Sequence, residues 1–206
     1  MSTYLTPVDR KLRCGGILEN PIVSNFQRNC LDYGRVAGLK KALQPYDYKS
    51  VLDVGCGLGE CSAVSKGLYY GLDNSFRRAN FAAQTYVKSC FFVGDALRLP
   101  VQNDSFDLVM LIDTSHHLSD QALGQVLLEL KRASRKYIVI SDPVVTADQS
   151  RLSAFFYRLD RGACFRKSEE MKAIFAKVDG LQLKEVVSFK TFPGFYIHTA
   201  FILQKG

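Results

Sequence analysis

The 206-residue chain has no tryptophan, only three histidines, three methionines and six prolines. Its six cysteines stand at positions 14, 30, 56, 61, 90 and 164, and no two form a C-x-x-C pair. So few histidines, with cysteines so scattered, exclude the usual zinc ligand spacings, and no metal is expected. Long apolar runs are missing too: nothing approaches the roughly 18 uninterrupted apolar residues of a membrane span. Met1 to Arg13 is polar and lacks the apolar centre of a secretory signal. A dense lysine or arginine tract is absent, so nucleic acid is an unlikely partner. These absences lead to the expectation of a cytoplasmic protein whose thiols are free and mostly buried.

What is present suits one globular domain: 47% hydrophobic residues, 12% aromatic, and enough length for a sizeable core. The net charge of +7 is uneven. Residues 1–50 carry eight Lys/Arg against four Asp/Glu, residues 51–160 eleven against twelve, and residues 161–206 eight against four. The middle is near neutral and both ends are basic. A basic roof over a site would favour an acidic or phosphate-bearing ligand; otherwise it is a solvated surface.

The most informative stretch is Val51-Leu-Asp-Val-Gly-Cys-Gly-Leu-Gly-Glu60. An apolar run stopped by glycines at 55, 57 and 59 predicts a buried parallel strand entering a tight turn. Without Cβ atoms, that turn lets the backbone approach a ligand closely. A helix opening at Glu60 would point its first amides at the same place. A dinucleotide fingerprint, G-x-G-x-x-G, would need its third glycine one residue later. It would also set Glu60 against a pyrophosphate.

Three further stretches share the pattern of strand followed by acid. Tyr69-Tyr-Gly-Leu-Asp73-Asn74-Ser75 places an acid 14 residues after Gly59, room for one helix and a return strand. Phe91-Phe-Val-Gly-Asp95-Ala96 ends a third strand, and Asn103-Asp-Ser-Phe-Asp-Leu-Val-Met110 leads into a fourth, followed by Asp113 and His116-His117-Leu118. In this order and spacing, over roughly residues 50–120, the motifs resemble those of the class I S-adenosylmethionine-dependent methyltransferases. Within that family they are closest to the small-molecule type related to ubiquinone and menaquinone C-methylases. The resemblance implies S-adenosylmethionine as cofactor and a small-molecule acceptor, O-, C- or N-methylated and possibly aromatic or lipid-like. It assigns Asp53, Gly55, Gly57, Gly59 and Asp113 to the methionine side of the cofactor. Asp73 and Asn74 fall to the ribose, and Asp95 and Ala96 to the adenine. The base-amine-methylating branch carries an Asn/Asp-Pro-Pro-aromatic motif after strand four. Asp113-Thr-Ser-His116 replaces it here.

His116 and His117 are the candidate catalytic residues, being placed beside the expected methyl group and poised near neutral pH. A late aromatic stretch from Leu152 to Gly162, with Phe165, Phe192, Phe195 and Tyr196, is a candidate substrate lid. Within it, Arg158 and Arg161 could hold a carboxylate or phosphate of the acceptor.

Periodicity predicts an amphipathic helix over Phe26–Leu43, then strands near Ser50, Tyr69–Leu72, Cys90–Val93, Leu108–Ile112 and Tyr137–Ile140. Helices are expected from Glu60, over Ser75–Val87, and from a Ser119 cap to Arg132. Leu181–Lys190 and Phe195–Gln204 read as a closing hairpin. The expected class is α/β, a doubly wound, seven-stranded, mostly parallel Rossmann-like methyltransferase sheet with an antiparallel C-terminal hairpin strand. One domain, 1–206, would comprise a helical lead or cap (1–49), a cofactor-binding half (50–145), and a lid with the last strands (146–206). Relatives have a Pro-Gly-Gly type turn before strand five, where this chain has Lys131-Arg-Ala-Ser-Arg-Lys136. Rival readings are an RNA or protein methyltransferase, a non-catalytic cofactor-binding module, and a dehydrogenase. Oligomeric state is left open.

Overall fold

A computed structural model describes residues 34–146, 153, 157, 164–191 and 196–206. Its elements run α1 (Arg35–Ala42), β1 (Ser50–Val54), a 3-10 helix (Glu60–Val64), β2 (Leu68–Asp73), α2 (Phe76–Thr85) and β3 (Cys90–Val93). Then come β4 (Phe106–Ile112), a short 3-10 turn (Ser115–His117), α3 (Asp120–Ala133), β5 (Ser134–Pro143), α4 (Ser168–Phe175), β6 (Leu181–Lys190) and β7 (Ile197–Lys205).

The seven strands lie in the order β3-β2-β1-β4-β5-β7-β6. All pairs from β3 to β5 are parallel, whereas β7 runs antiparallel to both β5 and β6. Crossover connections of one hand bring the C-terminal ends of the parallel strands to one edge. The order changes direction at β1 and β4, so the crevice opens above those two strands.

Side-chain alternation divides the core into two layers. Leu52, Val54, Val109, Leu111, Ile138, Ile140, Phe201 and Leu203 pack against Leu123, Val126, Leu127 and Leu130 of α3 and Met171, Ile174 and Phe175 of α4. On the other face Val51, Leu108, Met110, Val139, Ala200 and Ile202 meet Leu39 and Leu43 with Cys61 and Val64. A bulge between Phe106 and Leu108 turns Phe106 onto the α3 layer. Each fully buried leucine here contributes about 1.5–3 kcal/mol by removal from water.

Local chemistry sets the boundaries. The Ser119 hydroxyl accepts from the Ala122 amide and caps α3, with Asp120 in its first turn and Lys131 and Arg132 in its last. Strand five, expected near Tyr137–Ile140 after an altered turn, instead starts at Ser134 directly after α3 ends at Ala133. Arg135 secures that junction on the carbonyls of Asp104 and Ser105 and the Asp107 carboxylate.

A second expectation needs correcting. The segment after Gly59 is not an α-helix but a five-residue 3-10 helix, ended by Ser65 in an extended conformation. Only eight residues separate Gly59 from the start of β2 at Leu68. The chain must also cross from one strand end to the other, which leaves no room for three α-turns. Of the Phe26–Leu43 helix, the part after residue 33 is described and is helical over Arg35–Ala42.

Candidate functional site

The glycine turn follows β1 and has the backbone its sequence demands. Gly55, Gly57 and Gly59 have φ of 76°, 56° and 86°, in the region that side chains disfavour. The amides of Gly55 and Cys56 both donate to the Leu72 carbonyl, at 2.7 and 2.9 Å, which folds the turn over the end of β2. A Cβ on Gly55 would lie 2.5 Å from the Thr114 hydroxyl, so the turn is pressed against the end of β4.

Four carboxylates surround this turn. Asp73, at the end of β2, is buried and accepts from the Gly57 amide at 3.0 Å and the Ser75 amide at 2.8 Å. The Arg78 Nε also donates to it at 3.0 Å. Asp53, 1% exposed, accepts from the Tyr69 hydroxyl at 2.5 Å. Burial pushes its carboxyl up to about 7; the Tyr69 hydrogen bond and Arg35 act against this, while Glu60 and Asp73 add to it. Asp113 ends β4 with φ of 49°, its amide donating to Ser141. Its carboxylate pairs with Arg35 and lies 3.3 Å from His198 Nδ1. Glu60 completes the group, 3.4 Å from the same Arg35 guanidinium. Arg35, on α1 and 5% exposed, thus bridges the turn after β1 and the end of β4.

The other candidate cofactor residues lie beyond β2 and β3. Asn74 is exposed, and its side-chain oxygen accepts from Arg78. The exposed Asp95 carboxylate accepts from the Leu97 amide at 2.9 Å, and its carbonyl takes the Arg98 amide, closing a tight turn with Ala96 inside it. Glu129 and Arg132 of α3 brace the loop that follows. Glu129 receives the Leu99 amide, while Arg132 donates to the carbonyls of Leu99 and Val101.

The two candidate histidines part company. His117 is exposed, whereas His116 is buried with its Nδ1 hydrogen-bonded to Asp142 at the end of β5. The second oxygen of Asp142 accepts from the Ser115 amide at 3.3 Å. Phe165 stacks on the His116 ring, centroids 5.0 Å apart and planes 7° from parallel. Tyr157 packs on Phe165, and its hydroxyl donates to Val144. Arg166, 6% exposed, holds the carbonyls of Ser115, Leu118 and Cys164, and the Cys164 amide donates to His116. The segment bearing Phe165 is therefore fastened to the turn bearing His116. Arg158, Arg161, Phe192 and Phe195 lie outside the described residues.

Four site residues escaped the sequence reading. Arg35, Asp142, Arg166 and His198 lie outside the glycine and acid motifs, and each acquires its partner only through tertiary contact. A signal existed for one: Ser141-Asp142-Pro143 puts an acid at the end of strand five, the same place as the acids of the other strands.

Residues 51–136 match a family model described as a methyltransferase domain. Among curated proteins, an O-methyltransferase of Penicillium expansum is 32% identical over 114 residues, 50% of this chain and 41% of its own length. A tocopherol O-methyltransferase of Arabidopsis thaliana is 35% identical over 98 residues, 43% of this chain and 28% of its own. The chain thus spans less than half the length of these curated relatives. Among solved structures, magnesium protoporphyrin IX methyltransferase of Synechocystis with bound S-adenosylhomocysteine superposes with a TM-score of 0.67. It is 17% identical, covering 93% of this chain and 88% of that one. The fold is that of the superposed methyltransferase structure, and the matched segment spans the glycine turn and the acids at the strand ends. Residues 51–136 are similar to the methyltransferase domain family, and the strands outside them complete the sheet.

Proposed function

We propose that the chain transfers a methyl group from S-adenosylmethionine to a small-molecule acceptor. The observation that carries this is the charge around the glycine turn: Asp53, Asp73, Asp113 and Glu60 against one buried cation among the described residues, Arg35. Such a crevice suits a ligand with an ammonium and a sulfonium, and repels the pyrophosphate of a dinucleotide. Among the described residues, buried Asp53 Oδ1 makes no hydrogen bond, as suits a site with a cationic guest. Glycines without Cβ atoms leave the approach open.

In this reading Gly55, Gly57 and Gly59 form the floor under the methionine half. Asp113 and Glu60 face its ammonium, and Arg35 faces its carboxylate. Asp53 supports the floor from below through Tyr69. Asp73 accepts from the ribose hydroxyls, with Asn74 beside it, and Asp95 and the Ala96 amide take the adenine edge. The cofactor supplies an electrophilic methyl group, and the protein holds the acceptor in line with it. His116 and His117 are the residues placed to handle a proton. Arg158 and Arg161 are assigned to an anionic group of the acceptor, so Arg161→Ala should raise KM about tenfold with little change in kcat.

The relatives' names include O-methyltransferases and one N-methyltransferase, which supports a small-molecule acceptor without fixing its atom. Among the described residues no helix is long and apolar enough to cross a membrane. The reading includes one domain over 1–206, with the cap, cofactor half and lid divided at 49 and 145. It also includes a cytoplasmic site of action, supported by the thiols of Cys56, Cys90 and Cys164, which form no disulfide among the described residues. Titration of S-adenosylhomocysteine into the protein by calorimetry, with NADH as control, tests the cofactor. Micromolar binding of the former alone is expected; binding of NADH alone would move the assignment to a dehydrogenase.

A further inference from the structure

We infer that Asp53 is a charge sensor beneath the cofactor site: neutral while the site is empty, it ionises beside the cationic cofactor and regains its proton once transfer leaves a neutral thioether. The site then holds cofactor more tightly than product. This rests on the methyltransferase reading above and deepens it. Asp53 is 1% exposed, and its cross-strand neighbours, Gly71 and Met110, bring it no polar side chain. Its Oδ2 accepts from the Tyr69 hydroxyl at 2.5 Å, while Oδ1 has no hydrogen bond among the described residues. A carboxylate so poorly solvated needs a cation close by. Arg35 is shared with Asp113 and Glu60, and Arg78 is paired with Asp73. Four acids therefore face two cations around the turn, and the most deeply buried of the four is the one that keeps a proton.

Tyr69 is the positioning residue. Its ring is buried beside Phe91, centroids 5.8 Å apart, and burial together with Asp53 holds its hydroxyl well above the usual tyrosine range. It therefore remains a donor to Asp53 and favours the ionised carboxylate. Burial opposes it and sets the carboxyl at about 7, where the gain or loss of one nearby charge decides its state. The other titratable groups facing Asp53 or Tyr69 are Arg35 of α1, Asp73 of β2, Glu60 and Cys61 of the 3-10 helix, and Cys56 of the turn. S-adenosylmethionine carries an ammonium, a carboxylate and a sulfonium, and its product lacks only the last. As the methyl–sulfur bond breaks, the electron pair stays on sulfur and the sulfonium charge disappears. Asp53 then takes one proton from solvent, having released one when the cofactor entered.

The test is calorimetric titration of the full chain with two ligands, S-adenosylhomocysteine and sinefungin, in which a stable amine cation replaces the sulfonium. Titrations at about pH 5.5, about pH 6.5 and about pH 7.5, in buffers of different ionisation enthalpy, give affinity and protons released together. In the wild type the preference for sinefungin should rise about fivefold across that range, and at about pH 6.5 sinefungin should release more protons than S-adenosylhomocysteine. Asp53→Asn should abolish both differences. Tyr69→Phe, which keeps the ring beside Phe91, should move the rise to higher pH and shrink it within this range. Equal pH dependence for the two ligands in the wild type, a rise that survives Asp53→Asn, or a Tyr69→Phe profile coincident with the wild type would overturn the inference. Each of those results leaves the methyltransferase reading intact so long as S-adenosylhomocysteine binds. Failure of the wild type to bind it would remove both.

Discussion

At the scale of single residues, Asp73 separates ligand binding from local structure most cleanly. Its carboxylate already holds two amides and Arg78, and Arg78 is the partner with a side chain nearly half exposed. A ribose diol can replace that mobile guanidinium, but it cannot replace the carboxylate. Asp73→Ala should therefore weaken S-adenosylhomocysteine by about 100-fold or more, since two hydrogen bonds to a charged acceptor are lost. Arg78→Ala should leave the affinity within about threefold. Calorimetry on both variants checks the pair; equal losses would mean that Asp73 acts by holding the turn. The acids and glycines of the site were legible because each sits in a local motif, a strand end followed by a turn. Arg35 and His198 were not. They reach Asp113 from α1 and β7, and only the closed sheet brings those elements to the end of β4.

Individual elements carry a different lesson. Most strands were legible to within two residues, β3 and β6 in particular, because alternation or continuous apolarity marks them and the turns punctuate them, whereas β5 extends three residues beyond its expected span at each end. The 3-10 helix after Gly59 was misread, because Cys61 and Val64 are buried three apart, a spacing that α and 3-10 helices share. Length decided, and length is a property of the crossover and not of the residues. Gly59 marks this junction: a Cβ there would meet the Phe91 ring at 2.9 Å, and its φ of 86° is strained for any side chain. Gly59→Ala should cost about 1–3 kcal/mol in urea denaturation. A near-neutral result would show that the junction can relax into a longer helix. Arg166 is the corresponding device at the turn that bears His116. Arg166→Ala would remove one donor from each of three carbonyls and should cost about 2–4 kcal/mol, with Arg166→Lys recovering part of it.

For the whole molecule, the buried acids predict an unusual dependence of stability on pH. Burial opposes ionisation of Asp107, but the Lys49 and Ser50 amides, with Lys136 and Arg135, outweigh it and lower its carboxyl. Glu129 is lowered chiefly by its hydrogen bond to Arg132. Groups lowered in this way stabilise the fold above their ordinary values, 3.8 and 4.5, and lose that contribution as pH falls through their folded values. Asp53 works in the opposite sense. Raised from 3.8 to about 7, it stabilises the fold fully below 3.8 and loses this as pH rises through about 7. Stability should therefore peak in mild acid, with Asp53 responsible for the decline toward neutrality. The group stands under the cationic half of the proposed cofactor, so ligand binding should offset that decline. Between about pH 5 and about pH 7.5 the wild type should lose about 2 kcal/mol more than Asp53→Asn, by urea unfolding at constant ionic strength. Saturating S-adenosylhomocysteine should narrow that gap. Parallel slopes in the two proteins would mean that Asp53 is ionised in the fold and that Arg35 and Tyr69 suffice to hold its charge.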